Sequence, residues 1–202
     1  MENIMVKIDK NLLQELRERT GLGLMDCRKA LEETNNDLEK AVEILRKKGA
    51  AVAAKRADKE TAQGVVRTYI HPGDQLGVMV EINCETDFVA RTEAVQQFSK
   101  DLCMHIAAMK PLYLCEADVD EKFLEHEKEI LREQLKDSGK PENIINQILE
   151  GRLRKLYSEI CLLNQPFVKD EKFTIDQMVK EIIGKTGENV KIRRFARYEI
   201  GL

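Results

Sequence analysis

Aromatic side chains and long apolar runs are both scarce in this sequence. Aromatic residues make up 5% of the 202 positions, and Trp is absent. Proteins that stack many nucleic-acid bases usually carry more aromatic rings, so that class is disfavoured. No stretch approaches the roughly 18 apolar residues that a membrane-spanning helix needs, and the first residues contain no apolar signal core. We therefore expect a cytoplasmic protein with no membrane partner.

An excess of either charge is also missing. The chain has 33 Lys and Arg against 36 Asp and Glu, which gives a formal net charge of −3. General nucleic-acid binders are normally strongly basic, because neutralising phosphates supplies most of their affinity. We therefore predict no nucleic-acid partner, although an RNA-binding module with a local basic patch remains an alternative. The residues of that patch would be Lys47, Lys48, Lys55, Arg56, Arg193, Arg194 and Arg197.

The cysteines form neither a disulfide framework nor a metal motif. Five are present, an odd number, and no pair has the Cys-x-x-Cys spacing. This pattern predicts reduced thiols in a reducing compartment and leaves any redox role open. The five are Cys27, Cys84, Cys103, Cys115 and Cys161.

Catalytic motifs are absent or broken. No Gly-rich phosphate loop is found, and Gly21-Leu22-Gly23 has neither a preceding strand nor the third glycine of a dinucleotide-binding fingerprint. His126 and Glu127 begin like a zinc-protease helix, but Ile130 occupies the position of the second histidine. We therefore predict that the protein is not an enzyme and needs no cofactor or metal.

Apolar spacing over residues 9–49 predicts three short helices. The first should stop at Thr20-Gly21. Asp26 and Asp37 are candidate N-caps of the second and third helices, because a short side-chain oxygen can accept a hydrogen bond from the first turn. Gly49 is expected to end the third helix. Three short helices bury only a small core, which favours a unit that offers a surface to a partner.

The hydrophobic period changes after a segment of small and charged residues at 50–62, which we interpret as a linker, with partial helical structure left open. We therefore predict one domain at 1–55 and a second at 56–202. Alternating apolar residues in the second domain predict strands at Val65–Ile70 and Leu76–Cys84, joined as a hairpin by a Pro-Gly turn.

The rest of the second domain mixes helices with one last strand. A helix is predicted after Thr92, a helical hairpin on either side of Ser138–Pro141, and a short helix after Pro166. Val190–Ile200 is a strand candidate that can join the hairpin. We therefore predict an α+β fold, with a three-helix amino-terminal domain and a core in which helices pack on a small antiparallel sheet.

The segment Glu85–Arg91 joins a strand end to a helix and has two interpretations. In the first, Thr86 caps a helical turn, Asp87 complements its dipole and Phe88 is a core residue. In the second, Asp87 and Phe88 form an exposed acidic-aromatic knob. Its carboxylate would make a charge-assisted bond and its ring would fill a partner's pocket. The residues alone leave both interpretations open.

Two long motifs in this chain resemble the signatures of the elongation factor Ts family. The first is Leu16–Gly21 continued by Met25–Leu31, and the second is Val80–Ala90. Two further segments are similar to family landmarks, His105–Ala108 and Gln165–Val168. The resemblance covers nearly the whole chain, with the motifs in the expected order.

The resemblance implies guanine-nucleotide exchange on the GTPase elongation factor Tu. It also implies an amino-terminal domain like the ubiquitin-associated domain and an α+β dimerisation core. In this family the Asp-Phe knob pushes into the GTPase near its magnesium and phosphate site. The partner-contact residues that the resemblance carries over are Thr86, Asp87, Phe88, Val89, Arg17, Leu24, Met25 and His71. Leu24 replaces a Met that is common in the family, and His71 has an alternative interpretation as a turn residue.

Long family members carry a second core half and a protruding coiled coil, neither of which this sequence shows. The chain therefore resembles the short form, and we expect a homodimer to supply the missing half. The alternative function is a polypeptide-binding adaptor, in which the helical domain binds a partner without promoting exchange.

Overall fold

The structure is a computed structural model that describes residues 8–136 and 141–201. The predicted turn at Ser138–Pro141 lies mostly outside them. Within the described part of the chain, no helix is long and apolar enough to cross a lipid bilayer. The chain divides into two compact units. The first unit comprises residues 1–64, 83–95 and 179–191, and the second comprises 65–82, 96–178 and 192–202. The predicted division at residue 55 stays a prediction.

The order of helices and strands confirms the α+β class. The helices are α1 (Lys10–Thr20), α2 (Leu24–Glu33), α3 (Leu38–Arg56), α4 (Asp87–Ala90), α5 (Glu93–Met109), α6 (Glu121–Lys136), α7 (Glu142–Ile160) and α8 (Ile175–Thr186). Short 3-10 turns occupy Glu116–Asp118 and Leu162–Asn164. The strands are β1 (Gln63–Ile70), β2 (Leu76–Cys84), β3 (Pro166–Phe167), β4 (Asp170–Thr174) and β5 (Val190–Glu199).

Helices α1 to α3 pack around the small apolar core that the sequence predicts. Its buried members are Leu16, Cys27, Ala30, Leu31, Ala41, Val42 and Leu45. Helix α1 ends at Thr20 as predicted, and the N–H of Gly21 donates to the Arg17 carbonyl at 2.7 Å. Asp37 caps α3 as predicted, because its carboxylate accepts from the Lys40 N–H at 3.1 Å. Local capping chemistry therefore sets both of these helix ends.

The predicted N-cap of α2 is wrong. The helix begins at Leu24 after Gly23, and Asp26 lies inside its first turn without capping it. Leu24 and Met25 are good helix formers, so the helix extends back past the aspartate. The Asp26 carboxylate still sits where it complements the positive end of the helix dipole.

The predicted end of α3 at Gly49 is also wrong, whereas the predicted linker is partly helical, which the sequence leaves open. Helix α3 continues through Gly49 to Arg56, and only residues 57–62 form an irregular connection. Gly49 is buried where α3 meets α8. A Cβ built on Gly184 would lie only 2.9 Å from the Gly49 Cα. The two glycines therefore allow two helices of the first unit to approach closely. In the sequence alone, a glycine at such a contact cannot be distinguished from one that ends a helix.

The predicted hairpin and final strand are confirmed. The three-stranded sheet has the order β1-β2-β5. At the hairpin turn the Asp74 N–H donates to the His71 carbonyl at 3.0 Å, and Gly73 has a φ of 98°, as a type II turn requires. On β2, Val78, Val80 and Ile82 are buried, as their alternation predicts.

Helix α5 covers one face of this sheet. Its buried residues Val95, Phe98, Leu102 and Ile106 follow helical spacing, as predicted. Arg67 on β1 reaches the helix, with its Nε donating to the Ser99 hydroxyl at 3.1 Å. The inward-facing side of β1 is therefore the side that carries Arg67.

The sequence did not predict the β3–β4 ribbon or the buried histidine beside it. Strands β3 and β4 are only 2 and 5 residues long, too short for a visible alternation. The His105 side chain is fully buried, and its Nδ1 accepts from the Val168 N–H at 3.2 Å. Its Nε2 therefore carries the proton and donates to the Gln165 Oε1 at 3.0 Å. Burial lowers the pKa of His105, so this ring is neutral and joins α5 to the ribbon.

Candidate functional site

The segment after β2 folds into the single turn α4. Thr86 has an extended backbone and its hydroxyl accepts from the Val89 N–H at 3.4 Å. Val89 and Ala90 are 7% and 4% exposed. The capping part of the first interpretation is therefore confirmed, and the turn is held by buried apolar side chains. Among the predicted contact residues, Val89 is the one whose side chain fixes the turn from inside.

Phe88 lies on the outside of this turn, with 80% of its surface exposed. The interpretation that made it a core residue is wrong. Asp87 is about half exposed and pairs with Arg91 at 2.8 Å across one helical turn. A solvent-exposed pair of this kind contributes little, so Asp87 can exchange Arg91 for a partner group at low cost. An exposed aromatic ring beside an available carboxylate is the arrangement expected of a protein-binding hot spot.

A second exposed apolar pair lies at the start of α2. Leu24 and Met25 are 50% and 60% exposed, and Arg17 is exposed on α1. In the described part of the first unit, the large apolar side chains with substantial exposure are Leu24, Met25 and Phe88. All of them belong to the contact set predicted from the sequence. The apolar surface of this unit therefore coincides with the predicted partner surface.

His71 is placed differently from the other predicted contact residues. It lies in the hairpin turn of the second unit, whereas the other residues of the set lie in the first unit. Its ring is exposed, and its Nδ1 is 2.9 Å from the Tyr69 hydroxyl. His71 therefore has a contact within its own hairpin, in keeping with its interpretation as a turn residue. Its contact with a partner stays a prediction.

Two polar residues that the sequence does not single out, Glu188 and Asn189, form hydrogen bonds at the base of the knob. The Thr86 N–H donates to Glu188 at 3.1 Å, and the Asn189 N–H donates to Glu85 at 2.6 Å. Arg56 pairs with Glu85 at 3.0 Å. Thr86 and Glu188 are 102 positions apart in the chain, and Glu85 and Asn189 are 104 positions apart. A motif search along the sequence therefore gives no signal for Glu188 or Asn189.

Activated thiols are not part of this site. Burial raises the pKa of Cys84, Cys103 and Cys161 to about 11 in each case. These thiols are therefore protonated at neutral pH and are poor nucleophiles. Within residues 8–136 and 141–201, no group of three or more His, Cys, Asp or Glu could hold a metal ion.

Comparison with known proteins finds a matching family model and similar relatives over most of the chain. A family model described as elongation factor TS matches residues 10–202. The chain is 52% identical over 194 residues to elongation factor Ts of Thermosipho melanesiensis, covering 96% of this chain and 99% of that protein. It is 53% identical over 194 residues to the one of Carboxydothermus hydrogenoformans, with coverage of 96% and 89%. For Geobacter sulfurreducens the identity is 54% over 189 residues, with coverage of 94% and 88%. These relatives are close to this chain in length, which supports the short form.

Proposed function

This chain belongs to the elongation factor Ts family, and we propose that it promotes the release of GDP from the GTPase elongation factor Tu so that GTP can rebind. The observation that carries the proposal is the exposure of Phe88, 80%, on a turn whose other apolar residues are buried. A side chain held outward in this way is available to enter a partner without rearrangement of the fold. The proposal implies a cytoplasmic site of action.

Exchange of this kind makes and breaks no covalent bond. If the protein binds nucleotide-free Tu more tightly than GDP-bound Tu, then GDP must bind the complex more weakly by the same factor. Burying a Phe side chain contributes about 2 kcal/mol, which corresponds to roughly 30-fold in an equilibrium constant. Burial of Phe88, Leu24 and Met25 can therefore offset much of the nucleotide's binding energy.

Asp87 adds an electrostatic contribution beside the ring. In the proposed complex this carboxylate approaches the region that holds magnesium and the nucleotide phosphates. Like charges at short distance in a partly desolvated site repel strongly. Asp87 therefore weakens phosphate binding while Phe88 supplies apolar contact.

The direct test is the release of labelled GDP from elongation factor Tu. Catalytic amounts of this protein should accelerate release, and the protein alone should hydrolyse no GTP. An adaptor without exchange activity would bind Tu and leave the release rate unchanged. Unaltered release kinetics at saturating protein would therefore contradict the proposed function.

We further propose a homodimer formed through the outer face of the sheet. Side chains alternate along a strand, and Val66 and Ile70 lie one and three positions from Arg67. Because Arg67 faces α5, these two residues face away from that helix, and they are 61% and 60% exposed. Met79 alternates with buried residues on β2 and is 50% exposed. On β5, Arg194 pairs with Glu81, which lies on the same side of β2 as Met79. Tyr198 follows Arg194 by four residues, so it lies on the same face, and it is 76% exposed.

Apolar side chains from all three strands therefore share one face. Exposed apolar patches are typical of interaction surfaces, and a two-fold dimer is the commonest symmetry of soluble homo-oligomers. The occupant we propose is a second copy of this chain, because the chain lacks the second core half that long members use. Strand β5 contains no cysteine, so the dimer should persist in reductant.

Sedimentation at micromolar concentration in reductant tests the dimer. The expected mass is about twice the 23.2 kDa chain mass. Met79→Glu should give monomers, because it places a charge in the middle of the proposed interface. Leu112→Glu is the matched control, since Leu112 is 69% exposed but lies outside the sheet. A wild-type protein that sediments as a monomer would contradict the proposal.

A further inference from the structure

The segment that follows α8 is built to hold a carboxylate in a fixed place. Gly187 has a φ of 71°, and its N–H donates to the Ile183 carbonyl at 2.8 Å. This left-handed conformation favours glycine and turns the chain sharply out of the helix. The next two residues, Glu188 and Asn189, therefore leave the turn in a defined direction before β5 begins.

The Glu188 carboxylate is directed at the N-cap of the knob. Thr86 donates its backbone N–H to Glu188 Oε2 at 3.1 Å, and its hydroxyl lies 3.0 Å from both carboxylate oxygens. The same hydroxyl accepts from the Val89 N–H. With its proton directed to Glu188 and a lone pair to Val89, the hydroxyl has one orientation. Bonds to an ionised carboxylate are stronger than neutral ones, so this contact restrains the turn.

Asn189 fixes the backbone on which Glu188 sits. It is 2% exposed, and its N–H donates to Glu85 Oε1 at 2.6 Å. Its side-chain Nδ2 donates to the carbonyl of Ala57 at 3.3 Å and to that of Lys59 at 2.9 Å. The connection after α3, the end of β2 and the start of β5 therefore form one hydrogen-bonded cluster within the first unit.

A four-residue turn such as α4 has no stability of its own, because helix nucleation is unfavourable and short helices depend on tertiary contacts. Its direction must come from the residues that hold it. Val89 and Ala90 hold it through apolar burial, whereas Glu188 holds its N-cap. We propose that Glu188 is a positioning residue for nucleotide exchange, whose carboxylate keeps Asp87 and Phe88 in the orientation in which they enter the GTPase. This inference rests on the proposed exchange function.

A positioning role predicts a specific kinetic signature. Glu188→Ala removes none of the apolar contact residues Leu24, Met25 and Phe88, so the protein should still bind elongation factor Tu. The knob would be mobile, however, and ordering it on entry opposes GDP release. We expect the saturating rate of GDP release to fall about tenfold or more. The concentration that gives half of that rate should change by less than about threefold.

The experiment measures labelled-GDP release from elongation factor Tu over a range of full-length protein concentrations. The variants are Glu188→Ala and Thr86→Val, which remove the two ends of the same hydrogen bond. Glu181→Ala is the matched control, because Glu181 lies in the same unit and pairs with Lys185 on its own helix at 2.7 Å. Glu188→Ala and Thr86→Val should share the selective loss of rate, and Glu181→Ala should behave as wild type.

A combined variant separates positioning from a general structural role. If Glu188 acts through Asp87 and Phe88, adding Glu188→Ala to a variant that carries Asp87→Ala and Phe88→Ala should slow GDP release no further. Losses that multiply would show that Glu188 acts elsewhere and would overturn the inference. A circular-dichroism melt checks folding. If Glu188→Ala does not fold, Thr86→Val and Glu188→Gln decide, and wild-type rates for both would overturn it.

The outcomes for the two proposals are distinct. If the wild-type protein does not accelerate GDP release, the exchange function itself is rejected. If Glu188→Ala and Thr86→Val accelerate release as much as the wild-type protein does, the exchange function holds and Glu188 is rejected as a positioning residue.

Discussion

Phe88 and Phe98 are both phenylalanines on successive helices, but the first is exposed to solvent and the second is buried. Phe88 on α4 is 80% exposed, whereas Phe98 on α5 is 4% exposed. Helix α5 is long enough for a helical stripe of apolar residues to define a buried face, and Phe98 belongs to that stripe. Helix α4 is one turn, in which Val89 and Ala90 take the buried positions. One ring therefore serves the fold, and the other is available to a partner.

The largest expected effect in this comparison is the loss of the buried ring. Phe98→Ala should lower the free energy of unfolding by about 3–5 kcal/mol, because a large cavity replaces a packed side chain. Urea unfolding followed by circular dichroism measures this. The folded fraction of the variant should still release GDP from Tu, since Phe98 is outside the contact surface. A loss below about 1 kcal/mol would show that Phe98 is not a packing residue.

The exposed ring should give the reverse pattern. Phe88→Ala should change the free energy of unfolding by no more than about 0.5 kcal/mol, as surface substitutions usually do. It should weaken binding to elongation factor Tu by about 2–4 kcal/mol, as central hot spots do. Calorimetric titration and a urea series on the same preparation separate the two quantities. A large fall in stability with unchanged binding would reverse the assignment of the two rings.

A second pair, of glycines inside helices, sharpens the same contrast between packed and open positions. Gly184→Ala should destabilise the protein by about 1–3 kcal/mol, because the added Cβ meets the backbone of Gly49. In Gly151→Ala on α7, nothing lies within 4 Å of the added Cβ. That control should be neutral or more stable by up to about 1 kcal/mol, since Ala favours helix more than Gly. Equal effects at the two positions would contradict the close approach of α3 and α8.

A third pair, of histidines, predicts a smaller and pH-dependent effect. An unfolded histidine protonates near pH 6.5, whereas burial lowers the pKa of His105 in the folded protein. As the pH falls below about 6.5, the unfolded chain binds a proton that the folded chain does not. The free energy of unfolding should therefore fall, with a limiting slope of about 1.4 kcal/mol per pH unit.

Urea unfolding at pH 7.5 and at pH 5.5 measures this dependence. A His105→Gln variant should be less stable at both values but should lose the difference between them. His126→Gln is the matched control, because His126 is exposed on α6 and should leave the wild-type difference unchanged. A pH difference that survives in His105→Gln would assign the titration to other groups.

The long periodic elements were predictable from the sequence. Helix α5 and the strands β1 and β2 match the prediction because hydrophobic period is a local property of the chain. The resemblance to the family likewise points to Leu24, Met25 and Phe88, which are exposed in the structure. The sequence thus determined the fold class, the family and the candidate contact residues.

Features that depend on distant contacts could not be predicted. The sequence predicts a helix end at Gly49, because the residue that makes a glycine necessary there, Gly184, lies far along the chain. Glu188 gave no signal for the same reason, since Thr86 is 102 residues away. Strand β3 has only two residues and is defined by its pairing with β4.

The orientation of Phe88 shows where the boundary between the two kinds of information lies. The residues alone allowed it to be buried or exposed, because a four-residue turn is too short for a hydrophobic period to choose a face. Tertiary packing sets the orientation of the Phe88 ring, because Val89 and Ala90 occupy the interior and Glu188 accepts hydrogen bonds from the N-cap residue Thr86. The sequence by itself determined which ring to examine, and only the burial of its neighbours decided that this ring faces outward.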